Sequence, residues 1–212
     1  AWRGVARQGM ARLGEARQGK AGQGKARLKE GDMTQKIRVT IKGKSDLLMH
    51  RYPMVPIEAL EKKTPEEQAE LAAYRIPDSK ELYLPGVAVQ RAIVQGATYS
   101  KGKGRGSLQK PVAACVQVLE EYIGLGTEQY QVDARPVIIP ATKGRVMRFR
   151  PRLKAWEGTF TLTYDDTLLK ESELRKCVDD TLERVGLLDF RPEKKGSFGR
   201  AMVTVWEREN GK

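Results

Sequence analysis

"GLLDFRPEKKGSFGRAMVTVWE", residues Gly186 to Glu207, joins a helix-like run to an apolar strand through a loop containing two Gly, two Lys and two Arg. A helix-to-strand connection needs only a few residues, and one left-handed Gly normally ends the helix. This connection is longer and more basic than closure requires. A solvated turn and a ligand-contacting loop both fit that composition, and the flanking sequence has to decide between them. Upstream, "SELRKCVDDTLERVGLL" spaces Leu174, Cys177, Val178, Thr181, Leu182 and Val185 as one face of an amphipathic helix. Downstream, "AMVTVWE" closes the chain as an apolar strand.

Further out, "TFTLTY" alternates Phe160, Leu162 and Tyr164 with threonines, while "RPVIIP" and "RVMRFR" flank "ATKG" as the arms of a hairpin. "PVAACVQVLEEYIG" reads best as a helix, with Val112, Val116 and Val118 keeping a strand open. "LYLPGVAVQRAIVQGATYS" places Val89, Ala92, Ile93, Gly96 and Ala97 at helical spacing behind Pro85 and Gly86. "TPEE" at Thr64–Glu67 is a capping box with Pro at the first helical position, so a helix runs to about Tyr74. "KIRVTIK" alternates Ile37, Val39 and Ile41 as a half-buried strand. This order predicts an α+β, ferredoxin-like (RRM-like) antiparallel sheet with helices on one face and insertions within His50–Glu81 and Lys101–Val132. The uncovered face, rimmed by basic loops, would be a platform for a single strand of nucleic acid.

Composition points the same way. The 212 residues carry 39 Lys and Arg against 27 Asp and Glu, a formal charge of +12, as expected of a protein that meets a polyanion. Residues 1–32 hold eight basic and three acidic residues, so +7 of that charge lies beyond them. That segment cycles through Ala, Arg, Gln, Gly and Lys with little to bury, and is expected to be a disordered basic tail, with the functional protein opening at Met33 as one domain over residues 33–212. No apolar run is long enough to span a bilayer and no secretory signal pattern opens the chain, so a cytoplasmic location and no membrane partner are expected. Cys115 and Cys177 lack a CxxC partner and read as structural thiols. No metal and no cofactor are expected. The acid pairs Asp165/Asp166 and Asp179/Asp180 fit turn and solubility roles, and "KGKGRG" lacks the strand and helix start of a phosphate-binding loop.

Three segments also carry a family resemblance. "LPGVAVQRAIV" at Leu84–Val94 resembles the "IPGSSLKGALR"-type opening of the first helix in the RAMP superfamily, the RNA-binding proteins of CRISPR systems, with Val87 and Ala88 in place of serines and Gln90 in place of Lys. "RPEKKGSFGR" at Arg191–Arg200 is similar to that family's glycine-rich loop between last helix and last strand. "RFRPRLKAW" at Arg148–Trp156 looks like segments of phage-encoded relatives. The resemblance implies a subunit that binds single-stranded RNA, or DNA, and self-associates along the strand. A CRISPR backbone subunit, a phage replication or recombination factor and an inhibitor mimicking a CRISPR subunit all remain open.

The candidate contacts follow. In the loop, Gly196 and Gly199 would let backbone approach a phosphate, Arg191, Lys194, Lys195 and Arg200 add charge, and Phe198 stacks on a base or anchors the loop. Arg148, Arg150 and Arg152 share one strand face and would track phosphates, with Lys143 and Arg145 beside them. Trp156 either stacks on a base or fills the core. Lys101, Lys103 and Arg105 form a basic glycine loop. The lone histidine, His50, is the general acid or base of the alternative reading, a metal-independent endoribonuclease; otherwise no catalytic residue is expected. Deleting residues 1–32 should leave the thermal midpoint of unfolding within about a degree of wild type by calorimetry, because the segment supplies no core.

Overall fold

Three apolar residues on one side of a ten-residue strand organise the chain. In the computed structural model, which describes residues 34–102, 104, 106–138 and 143–209, β1 (Thr34–Gly43) buries Ile37, Val39 and Ile41 completely. The tail expected over residues 1–32, and Lys103 and Arg105, lie outside the described residues. After β1 come β2 (Leu47–Leu48), α1 (Ile57–Glu61), α2 (Pro65–Ala72), β3 (Tyr83–Pro85) and α3 (Gly86–Gly96). Then follow α4 (Gln109–Cys115), β4 (Gln117–Val118), β5 (Tyr122–Gly124), β6 (Gln131–Ile138), β7 (Arg145–Leu153), β8 (Glu157–Asp165), α5 (Glu171–Asp180) and β9 (Ala201–Glu209).

The main sheet has the order β4-β8-β1-β9, antiparallel throughout. Period-two burial sets its register: Ile37 pairs with Leu162 and Val39 with Phe160 on one side and Trp206 on the other. α3 links β1 to β4 and α5 links β8 to β9, and the two helices pack together over the buried residues of the sheet. A second sheet, β2-β7-β6, holds the expected hairpin, and β3 with β5 forms a small third one. No helix among the described residues is long and apolar enough to cross a membrane.

Local chemistry explains the helix ends. Thr64 and Glu67 form the reciprocal capping box at the start of α2, which ends at Ala72. α5 passes directly into a π-helical turn over Thr181–Val185, closed by Gly186 N–H donating to Thr181 C=O at 2.8 Å. The stretch from Pro111 to Gly124 differs from the expected helix. Only α4 is helical there, because Gln90 of α3 donates to Val116 C=O and accepts from Val118 N–H, both at 2.8 Å, and so holds the chain extended as β4.

Where α3 meets the π turn, the helices touch backbone to backbone. A Cβ on Gly96 would lie 1.9 Å from Thr181 Oγ1 and 2.7 Å from its Cα. Gly96→Val therefore has to push the helices apart, and should lower the free energy of unfolding by about 1–3 kcal/mol in urea titrations.

Candidate nucleic-acid interface

The loop that opened the sequence is a packed object rather than a flexible cradle. Leu187 N–H donates to Gly199 C=O at 2.9 Å, Phe198 N–H to Phe190 C=O at 3.1 Å, and Gly196 N–H to Arg191 C=O at 3.0 Å. Its outer side is tied to β2 and the connection before it: Gly199 N–H donates to Asp46 C=O at 2.8 Å and Asp189 N–H to Leu48 C=O at 3.1 Å. A Cβ on Gly196 would sit 1.7 Å from Phe190 O, and one on Gly199, whose φ is +73°, would sit 2.1 Å from Leu187 O. Both glycines thus admit the loop's own backbone, which corrects the expectation that they admit a phosphate.

Opposite the loop lies one face of the β6–β7 hairpin. Alternation does place Arg148, Arg150 and Arg152 together there, with Arg135 paired across to Arg148. They are not a free phosphate ladder. Arg150 is 5% exposed and pairs with Asp189, whose other contacts are His50 Nδ1 at 3.2 Å and Phe190 N–H at 2.9 Å. Arg152 pairs with Asp46, and Arg135 pairs with Asp133 at 2.7 Å while its guanidinium stacks over Phe198 and Phe190. Burial raises the Asp189 carboxyl, but the His50 hydrogen bond, the Phe190 amide and the Arg150 charge outweigh it and hold it at about 2.

Other candidates also move. Trp156 is 4% exposed with Nε1 donating to Ser45 C=O at 2.8 Å, so it is a core residue and stacks on no base. Phe198 is buried and anchors the loop. Arg191 is held by Glu193 at 2.6 Å and by Leu188 C=O at 2.8 Å. Arg200 stays exposed, its Nε donating to Glu183 C=O at 3.2 Å. Lys101, Lys143, Arg145, Lys194 and Lys195 are exposed. The acid pairs keep the ordinary roles read for them: Asp165 accepts from Thr167 N–H and Oγ1, Asp179 pairs with Arg175, and Asp180 with Arg184 and Ser100.

The uncovered face of the main sheet is charge-balanced. Its register sets Lys36 against Glu209, Arg38 against Glu207 and Lys42 against Glu157, with a Thr40–Thr159 hydroxyl contact of 2.9 Å between. Its described residues include no aromatic side chain, so the platform expected there lacks what base stacking needs. Instead, two of the three segments that carry the family resemblance meet elsewhere. Ala88, Arg91 and Gln95 of α3 and Gly186, Leu188 and Arg191 of the loop line one groove of about 330 Å³. Arg91 and Arg135 had no place among the sequence candidates. The alternation of Asp133 and Arg135 in "QVDARPVI" was the available signal for the latter.

No protein-family model and no curated protein sequence matches the chain. In fold it is similar to a chain in the structure of the type III-B Cmr-beta bound to cognate target RNA, with 10% identity and a TM-score of 0.48, covering 82% of this chain and 60% of that one. It is also similar to Cmr6 from Pyrococcus furiosus, with 10% identity and a TM-score of 0.46, covering 82% of this chain and 99% of that one.

Because the Asp189 carboxyl lies below its ordinary value of 3.8, its contribution to stability is complete above that pH and is lost as pH falls toward 2. Asp189→Asn should be less stable than wild type at pH 7, and the gap should close between pH 4 and pH 2 in thermal melts.

Proposed function

We propose that this protein binds single-stranded nucleic acid without cleaving it, RNA in preference to DNA, as a RAMP-like subunit of ferredoxin-like (RRM-like) fold that self-associates along the strand. The antiparallel β4-β8-β1-β9 order, with a helix in the connection from β1 to β4 and another in that from β8 to β9, supports this reading of the fold. The observation that carries the function is the groove between α3 and the glycine loop. It brings together two of the resembling segments, sets Arg91 and the Glu193-paired Arg191 along its walls, and has the exposed Lys194 and Lys195 on the same loop. A net charge of +7 beyond residue 32 supplies the long-range attraction. The sheet face contributes little, since its cations already face carboxylates.

Affinity for an RNA oligonucleotide should fall by about 0.7 log units per log unit of salt for each phosphate neutralised. Lys194→Ala with Lys195→Ala should lower that slope and weaken all sequences alike, since point charges read no bases. A flat salt dependence in fluorescence anisotropy would remove the nucleic-acid reading. Self-association predicts protected fragments whose length grows in fixed steps with protein concentration.

A second reading rests on one contact. His50 is exposed and meets the ionised Asp189, an arrangement that orients an imidazole for proton transfer. Incubating labelled RNA with wild type and His50→Ala, with and without divalent metal, separates the two. Intact RNA in every case is the expected outcome, and His50-dependent products would make the protein an endoribonuclease.

A further inference from the structure

The hairpin face holds two arginine nitrogens that its own fold leaves unused. Arg148 Nη1 and Arg150 Nε are buried, and neither has a hydrogen-bond partner among the described residues. Buried donors nearly always find an acceptor, so each marks a place where one is missing. The two residues stand two apart on β7, with side chains on the same face and spaced by about 6.8 Å along the strand.

Each arginine lines a cavity, and the two cavities share His50 and Val137. The first, about 550 Å³, is bounded by Arg150, Arg135 and Phe190; the second, about 310 Å³, by Arg148, Tyr52 and Leu60. Both volumes fall in the range of about 300–1,000 Å³ that ligand sites occupy. Their aromatic members are accessible, Phe190 at 37% and Tyr52 at 71% exposure. Asp189 lines the first cavity, but Arg150 and His50 already engage its carboxylate. The trough is therefore lined by two arginines, each with one unpartnered nitrogen, and by the exposed parts of Tyr52 and of Phe190, over whose ring the Arg135 guanidinium also lies.

We propose that this trough holds two consecutive unpaired nucleotides of the bound strand, one base against Phe190 and the other against Tyr52, with the phosphate that joins them facing Arg148 and Arg150. Phosphate oxygens supply the missing acceptors, and every base has a face to stack. The inference rests on the nucleic-acid reading above, but it names a site separate from the α3 groove. It also gives the hairpin a role that its internal ion pairs leave open: they hold the trough's wall in place, while the spare nitrogens face the ligand.

The test uses the full chain and a fluorescein-labelled oligouridine RNA containing 4-thiouridine. Tyr52→Ala and Phe190→Leu should each weaken binding by about 5-fold to 150-fold, as loss of one stacked base does, with the salt slope unchanged. Tyr52 is the safer position, because its side chain is largely in solvent; matching thermal midpoints confirm that the variants fold. Ultraviolet cross-links should map to peptides containing Tyr52 or Phe190. Binding within twofold of wild type for Tyr52→Ala, with cross-links mapping elsewhere, overturns the trough while leaving Lys194- and Lys195-dependent binding intact. Failure of the wild type to bind any oligonucleotide overturns both readings together.

Discussion

A buried guanidinium and a half-buried carboxylate join two parts of the chain that are far apart in sequence. Arg150 comes from the hairpin and Asp189 from the loop after the last helix, and neither is well solvated without the other. Removing one member of such a pair leaves the other charge buried and uncompensated, which costs more than the pair itself contributes. The pair ties the β6–β7 face to the loop in the same junction where Arg152 meets Asp46 and where Arg135 stacks on Phe190 and Phe198. The hairpin trough has this junction as a wall, and the α3 groove is lined by Leu188 and Arg191 of the same loop.

The loop has an unusual backbone to match. Leu188, Phe190 and Lys195 all have positive φ, at 57°, 49° and 62°, beside Gly186 and Gly199. Left-handed conformations disfavour residues with a Cβ by roughly 1–2 kcal/mol each, so they persist only where surrounding contacts over-determine them. Those contacts are visible here: the amides of Asp189 and Gly199 on β2 and the connection before it, the Phe190 carbonyl accepting from Phe198, and the buried Arg150 pair. Such strain gathers at sites that must present groups in one geometry.

Much of the scaffold could be read from alternation. "KIRVTIK", "TFTLTY" and "AMVTVWE" became the three long strands of the main sheet, since each has one face that must be buried. The capping box at Thr64 and the heavy apolar face from Leu174 were equally legible. The site was legible only as composition. Spacing put Arg148, Arg150 and Arg152 on one face, but their partners Asp46 and Asp189 stand far away in sequence, and no local pattern announces a partner at that distance. The same limit hid Gln90, whose amide is spent on the backbone of Val116 and Val118, 26 and 28 residues on, and Trp156, whose indole reaches Ser45. Glycine content misled for another reason: it marks conformational permission, and close packing needs that permission as much as mobility does.

The π turn at the end of α5 has a consequence for how this loop is inherited. Its wider turn, closed from Gly186 back to Thr181, accommodates one more residue than an α-helical turn would. A relative lacking one residue between Thr181 and Val185 would close the same turn as ordinary α-helix, i→i+4 in place of i→i+5, and launch its loop from the same place. A one-residue gap in this five-residue stretch is therefore compatible with the Arg150–Asp189 junction, and the carboxylate and the buried arginine, not loop length, are the characters to compare between chains.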